Sequence, residues 1–387
     1  MRPLDWRSFF LMAVMAFSYL SCAGDPLFMS ISSQQLASPV FVAVDTVNSR
    51  AYVINANNHL EYLDTHLTIL DISNPPSPTF LDVGTNPISI PNFSGQAYFD
   101  PATRLLFVSN RLSDHKDDVV DTLLRINVDE TSGSFGEVSS FNAGEDPFGV
   151  ACCDTSNRLY LINEGTLGVY DIGSPSTFVS ISLDITLGSG DRLKGLSSRE
   201  VVLLGDQAFV TNRTGFIYVI NMTEVGDLSK NPIDYVISGG GDLRGIATDG
   251  TYLYVVDHSE DDPLLRILDP SSLTAVDPDT SAFNEVSVTS IQTTAISTGT
   301  EPQEVAIVGG RAFVTNTGSD SVTVIDTDSR SVATTIDLTA GGWVADEPTG
   351  ITGFTVGDNN YVYVTNLKSD NISIIDANAL SVVADYP

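Results

Sequence analysis

The stretch "RAFVTNTGSDSVTVID" (311–326) is written almost again as "YVYVTNLKSDNISIID" (361–376). Each copy holds two short runs in which aromatic or β-branched residues alternate with smaller ones, the two-residue period of a strand. A segment of Gly, Asn, Asp, Ser or Lys between the runs supplies the turn of a hairpin. Working outward, the first run recurs as "AYVIN" (51–55), "LFVSN" (106–110), "LYLIN" (159–163), "AFVTN" (208–212), "LYVVD" (253–257), "AFVTN" (312–316) and "VYVTN" (362–366). The second run keeps step with it, ending at Asp71, Asp129, Asp171, Asn221, Asp269, Asp326 and Asp376. The terminal Asn or Asp of each run is expected to fold onto the turn amides as an Asx-turn, a structural role.

A further signature precedes most copies: "ASPVFVAV" (37–44), "GTNPISI" (84–90), "GEDPFGV" (144–150), "GDLRGIA" (241–247), "GTEPQEVA" (299–306) and "DEPTGI" (346–351). Each reads as a tight turn feeding a new apolar strand. With a fourth strand such as "VATTIDL" (332–338), the unit is four antiparallel strands in about fifty residues, the size of one propeller blade. The sequence therefore predicts an all-β chain, a single seven-bladed β-propeller of four-stranded antiparallel blades, with six or eight as neighbouring counts. One blade cannot cover both faces of its own sheet, and a closed ring covers them all.

"FVTNTGSDSVTVID" and "YVTNLKSDNISIID" are similar to the YVTN family of β-propeller repeats, and the resemblance extends over residues 39–385 with weaker copies in the middle. The family implies the propeller fold and no particular chemistry. Blade 3 departs by having only "EGTLG" between its two strands, and blade 5 by an insertion from Pro270 to Ile296.

The chain divides into residues 1–22, residues 23–38 and a propeller at 39–387. The first segment, "MRPLDWRSFFLMAVMAFSYLSC", sets two arginines before an apolar stretch too short to span a bilayer, the proportions of a signal peptide. Its end, Leu20-Ser21-Cys22, resembles a bacterial lipobox, which would make Cys22 the site of lipid attachment. Ordinary cleavage after Ala23, a small-x-small site, is the competing reading. Residues 23–38 are expected to be a tether or a strand that closes the ring. The protein is thus expected at the bacterial outer membrane or cell surface as a lipoprotein, or otherwise periplasmic or secreted.

With 18 Lys+Arg against 49 Asp+Glu, the net charge of −31 excludes nucleic acid and anionic headgroups as partners. The membrane would be met only through an N-terminal lipid. Aspartates outnumber glutamates 37 to 12, a bias toward tight turns over helices. Only Cys152 and Cys153 accompany Cys22, so no disulfide framework is expected, and the adjacent pair reads as packing at a strand end.

Chemistry in such a ring is expected where inter-blade turns and expanded loops surround the channel mouth. Arg192, Lys194 and Arg244 stand in "GSGDRLKG" and "GGGDLRG", the two inter-blade turns without the proline of the others. They suggest a basic sector able to hold a carboxylate or phosphate. Asp146, Glu301, Glu304 and Glu347 are the other candidate ligand-binding residues. Asp114, Asp117, Asp118 and Asp121 crowd one loop, and Glu260, Asp261 and Asp262 another. Calcium is the ion that such oxygen ligands would hold, but no DxDxDG pattern is present and solvated acidic loops account for them. His59, His66, His115 and His258 fall in expanded loops without ligand spacing, and no Gly-x-Ser-x-Gly elbow, Walker loop or His-Glu-x-x-His appears. No cofactor is expected.

Two functions are open at this point. One is a monomeric, non-enzymatic propeller binding an envelope protein or glycan. The other is a metal-dependent lactonase or lyase, since gluconolactonase and streptogramin-lyase propellers resemble this chain in overall shape; Glu301, Glu304 and Asp146 would then be asked to hold the ion. The lipobox reading makes a direct prediction: Cys22→Ala should release the protein from the detergent-soluble membrane fraction, and a mature wild-type chain beginning at Gly24 would overturn it.

Overall fold

The second strand of every repeat is apolar at nearly every position, which only a sheet covered on both faces can satisfy. The protein meets that demand in a computed structural model, which describes residues 35–58, 65–91, 93–111, 121–176, 178–226, 231–273 and 283–387. Seven blades of four antiparallel strands form the molecule. Their inner strands are Pro39–Asp45, Ser94–Asp100, Val150–Ala151, Ser198–Leu204, Leu243–Thr248, Pro302–Val308 and Pro348–Val356. Each inner strand packs against the one before and the one after, and the last returns to the first. That is a closed ring.

Between neighbouring sheets lies one aromatic ring per blade, at the same position of the second strand: Tyr52, Phe107, Tyr160, Phe209, Tyr254, Phe313 and Tyr363, all with 0% exposure. These rings belong to clusters that join adjacent blades. The joint between the last blade and the first packs Leu36, Val42, Val53 and Leu70 against Phe354, Tyr363 and Ile374. Tyr363 Oη also donates to the Pro75 carbonyl at 2.7 Å, and the Ser38 amide donates to Asp370 Oδ1 at 2.6 Å. The chain just before the first strand is therefore fastened to the last blade. The remainder of the expected closing segment, 23–34, lies outside the described residues, as does Cys22.

The terminal polar residues split into two kinds. Those ending the third strands make Asx-turns as expected: Asp71 accepts from the Ser73 amide, Asp171 from Gly173, Asn221 from Thr223 and Asp376 from Asn378. Several second-strand asparagines do something else. Asn316 is fully buried, accepts from the Gly299 amide in the turn before its own inner strand, and donates to the Ser321 and Thr323 hydroxyls of the third strand. Asn55 repeats the pattern with Ala37, His66 and Thr68. Interior asparagines of this kind staple three strands of one blade at its end, because a buried amide must satisfy both its donor and its acceptor.

Four expectations are corrected in detail. "GTNPISI" does not open blade 2; Ile88–Ile90 pairs with the third strand of blade 1 beside Thr79–Phe80, and Asn86 bridges the break by bonding the Ile69 amide and carbonyl. Cys152 and Cys153 are bonded to each other as a vicinal disulfide. It encloses no chain segment and so adds next to nothing in loop entropy. His66 is not an exposed loop residue but a buried one, 5% exposed within Thr65–Asp71. Within the blade 5 insertion, Asn284–Ser287 adds a parallel strand to the outer edge of blade 4 before the chain returns to blade 5 at Gln292–Ser297.

If the inter-blade rings carry the fold, Phe313→Ala should cost about 3 to 5 kcal/mol, the range for emptying a packed aromatic site. Val332→Ala, on an outer strand and 46% exposed, should stay within about 0.5 kcal/mol. Urea midpoints at constant m-value check both, and equal losses would contradict the packing argument.

Candidate functional site

The inner strands are not regular at their channel-mouth ends. In six of them the pairing slips by one residue, with Ser94/Ala97, Ser198/Val201, Leu243/Ile246, Pro302/Val305 and Pro348/Ile351 flanking two residues that oppose a single partner, and Pro39/Phe41 flanking one. Blade 3 has the same form, with the Phe148 amide bonded to the Ile162 carbonyl and the Ile162 amide to the Gly149 carbonyl. Such β-bulges re-aim side chains. Here the bulged pairs are Gly95-Gln96, Phe148-Gly149, Arg199-Glu200, Arg244-Gly245, Gln303-Glu304 and Thr349-Gly350, and members of every one of them line a common cavity of 230 Å³ or touch a residue that does.

Two features hold the bulges in place. The second residue of the pair alternates around the ring: Gln96, Gly149, Glu200, Gly245, Glu304, Gly350. A β-carbon on Gly149 would sit 2.6 Å from the Arg199 carbonyl of the next blade, and one on Gly245 would sit 2.7 Å from Glu304 Cα. Glycine is required for the neighbouring backbone to approach. The other feature is a hydroxyl on the facing second strand. Thr211 accepts from the Glu200 amide at 3.2 Å and donates to the Arg244 carbonyl of the next blade at 2.6 Å. Thr315 does the same between the Glu304 amide and the Thr349 carbonyl, at 3.1 and 3.0 Å. Ser109 reaches the Phe148 carbonyl at 2.7 Å.

The charges that result are asymmetric. The Arg199 guanidinium stacks on the Phe148 ring, 3.3 Å from its centroid, with Arg111 at 5.5 Å from the same ring. A cation over an aromatic face is stabilised by the ring quadrupole. Arg199 Nε is buried without a hydrogen-bond partner, and burial lowers the group to about 10, against the pull of Glu304 and Glu200. Arg244 is tied to Asp242 through Nε and Nη2, at 3.1 and 2.8 Å. Arg111 lies 3.6 Å from Asp146. Gln96 Nε2 donates to Glu200 Oε1 at 2.5 Å. Glu304 keeps some surface toward the cavity, yet enough protein surrounds it that burial, followed by the neighbouring Glu200 carboxylate, raises it well above the ordinary 4.5. Blades 1 and 7 line the cavity with Val40, Phe41, Ala56, Ile351 and Leu367, joined by the uncharged Asn58 and Thr349.

Of the residues singled out from sequence, Arg244 and Glu304 line this cavity. Arg192 belongs to a separate hairpin, Ile185–Thr186 with Arg192–Leu193, is 67% exposed and pairs with Asp184 at 3.0 Å. Lys194 is exposed beyond the same hairpin. Asp146, Glu301 and Glu347 occupy positive-φ turn positions, with Glu347 3.9 Å from Lys368. Asp121 accepts from the Asp146 amide, and Glu260, Asp261 and Asp262 form an exposed turn. Asp114, Asp117, Asp118, His59 and His115 lie outside the described residues. Among the described residues no group of three or more His, Cys, Asp or Glu is placed to hold a metal ion. Arg111, Phe148, Arg199, Glu200 and Gln96 were not anticipated. Aligning "SREVV" with "PQEVA" and "LRGIA" would have exposed Arg199 and Glu200 as the bulge pair of the repeat.

The LVIVD repeat model matches residues 62–83 and 240–276, taking in the third strands "LTILD" and "LRILD". No curated protein matches the sequence. Among solved structures, the chain is similar to hydrazine synthase of Kuenenia stuttgartiensis, with a TM-score of 0.63 at 14% identity over 92% of this chain and 99% of that one. It is also similar to the β-propeller domain of Myceliophteria thermophila Cps50 (Swd1), with a TM-score of 0.60 at 12% identity over 91% and 100%. The dihydro-heme d1 dehydrogenase NirN in complex with DHE gives 0.54 at 15% over 99% and 74%. Identities this low speak to the fold alone, a β-propeller of repeats.

The raised Glu304 has a signed consequence. The folded state retains a proton that the unfolded chain releases above about 4.5, so stability falls as pH rises from there toward the folded value. Glu304→Gln should remove that slope, so that the variant gains on the wild type with rising pH in this window. Parallel pH profiles of the thermal midpoint would contradict the assignment.

Proposed function

We propose that the protein is an exported, lipid-anchored member of the bacterial envelope, related to YVTN propellers, that acts by binding rather than by catalysis, with the channel mouth as its binding face. The reading is supported above all by the bulge ring. It converges arginine, glutamate, glutamine and phenylalanine side chains on one cavity, a mostly preformed concave site with a few placed polar groups. Gln96 donates to Glu200, and Glu304 hydrogen-bonds Glu200 beside Arg199 and Arg244, a mutually paired set of charges suited to binding. The signal-peptide proportions of residues 1–22 and the lipobox-like end at Cys22 support the proposed location, and an envelope protein or glycan is the proposed partner.

Arg244→Ala leaves Asp242 without its cavity-side partner and makes the mouth more negative, so capture of the partner from envelope extracts should weaken by about tenfold or more, the scale of one charged contact, while Arg192→Ala, on the separate hairpin, should leave capture unchanged. Equal effects of the two would place the binding face elsewhere. Stoichiometric calcium, magnesium or zinc in the purified protein, with turnover of a lactone, would replace this reading by that of a metal-dependent lactonase or lyase.

A further inference from the structure

Resting on the reading of the channel mouth as a binding site, we infer that its ligand is a small monocarboxylate with an apolar body, the carboxylate held by Arg199 and the body against Val40, Phe41, Ile351 and Leu367. Arg199 is distinguished from the other two guanidiniums of the cavity. Arg244 already spends its Nε and one Nη on Asp242, and Arg111 is paired with Asp146. Arg199 has its flat face on Phe148 and its buried Nε without a partner. The guanidinium of Arg199 lines the cavity with no carboxylate of its own among the described residues, and a planar carboxylate is the group that meets a guanidinium edge with two parallel bonds.

The rest of the cavity selects among anions. Glu200 is held by Gln96, and Arg199 is the cavity guanidinium with no ion pair of its own among the described residues, whereas Arg244 and Arg111 have theirs. One carboxylate is the load that such a group can match. A phosphate dianion would bring more charge and a third oxygen toward two glutamates, and like charges at short range are repelled. On the far side of the cavity, Val40, Phe41, Ile351 and Leu367 offer hydrocarbon to the other end of the ligand. At 230 Å³ the cavity is somewhat below the roughly 300 to 1,000 Å³ of drug-sized sites, which suits a short chain and excludes a polymer from the cavity itself. Each methylene buried there raises affinity about fourfold, so affinity should climb with chain length until the cavity is full.

Titration calorimetry of the purified protein at pH 7 and fixed ionic strength tests this with hexanoate, acetate, methyl hexanoate and inorganic phosphate as probes. Hexanoate should bind at least tenfold more tightly than acetate or methyl hexanoate, and phosphate should not displace it. Arg199→Leu should lose tenfold or more, with Arg199→Lys between the two. Should Arg199→Leu fail to fold, the comparison of hexanoate with its methyl ester on the wild type decides alone. Equal binding of acid and ester, displacement by phosphate, or unchanged binding by a folded Arg199→Leu would each overturn the inference. Failure of hexanoate while Arg244-dependent capture of an envelope partner persists would overturn the ligand class alone; loss of both would overturn the binding face as well.

Discussion

The hydroxyl of Thr211, and its counterpart on Thr315, is the smallest group on which the rest of this structure depends. It accepts an amide from the bulge of its own blade and donates to the bulge carbonyl of the next. A bulge leaves backbone groups outside the ladder, and buried backbone groups must find partners. One oxygen serves both sides of the joint. It thereby fixes the distance between blades at the channel, where the side chains of the cavity begin, and couples ring geometry to site geometry in a single contact. Valine, its near isostere, could fill the space but not satisfy either group.

This explains why the fold was legible in the sequence while the site was mostly hidden. A second strand covered on both faces must be apolar throughout, with room for one aromatic ring between sheets, so "AYVIN", "LFVSN" and "VYVTN" announce themselves seven times. The asparagine that follows was legible as structural, though its reach to a preceding turn and a third strand depends on partners twenty residues apart that no local pattern shows. The cavity residues come in small groups, one group per blade and about fifty residues apart, and the direction of the bulge pairs depends on a one-residue slip. Arg192 and Lys194 looked like part of the mouth because they are near Arg244 in the repeat frame. A short hairpin, Ile185–Thr186 with Arg192–Leu193, turns them away. Arg199, a few positions further on, is the residue that stands in the bulge.

A break in an outer strand, and not a bulge, misled the reading of "GTNPISI". Its proline and alternating isoleucines have the local character of an inner strand, yet Asn86 supplies bonds to Ile69 that keep the segment in the previous blade's outer strand. A side-chain amide standing in for a missing strand residue carries no periodic signal. Likewise, the adjacent cysteines look like strand-end packing in a pattern and become a disulfide only in three dimensions.

The alternation of glycine with a long polar residue at the second bulge position has a consequence of parity. A two-beat pattern closes on itself only around an even number of blades, and this ring has seven. Somewhere two blades of the same phase must stand side by side, and that seam falls between Gly350 of the last blade and Val40 of the first, whose bulge holds a single residue. Neither contributes a polar side chain, so the seam becomes the apolar wall of the cavity. An eight-bladed ring with the same rule would have had no such seam. The odd count is what sets a seam without long polar side chains across the ring from Arg199 and Arg244.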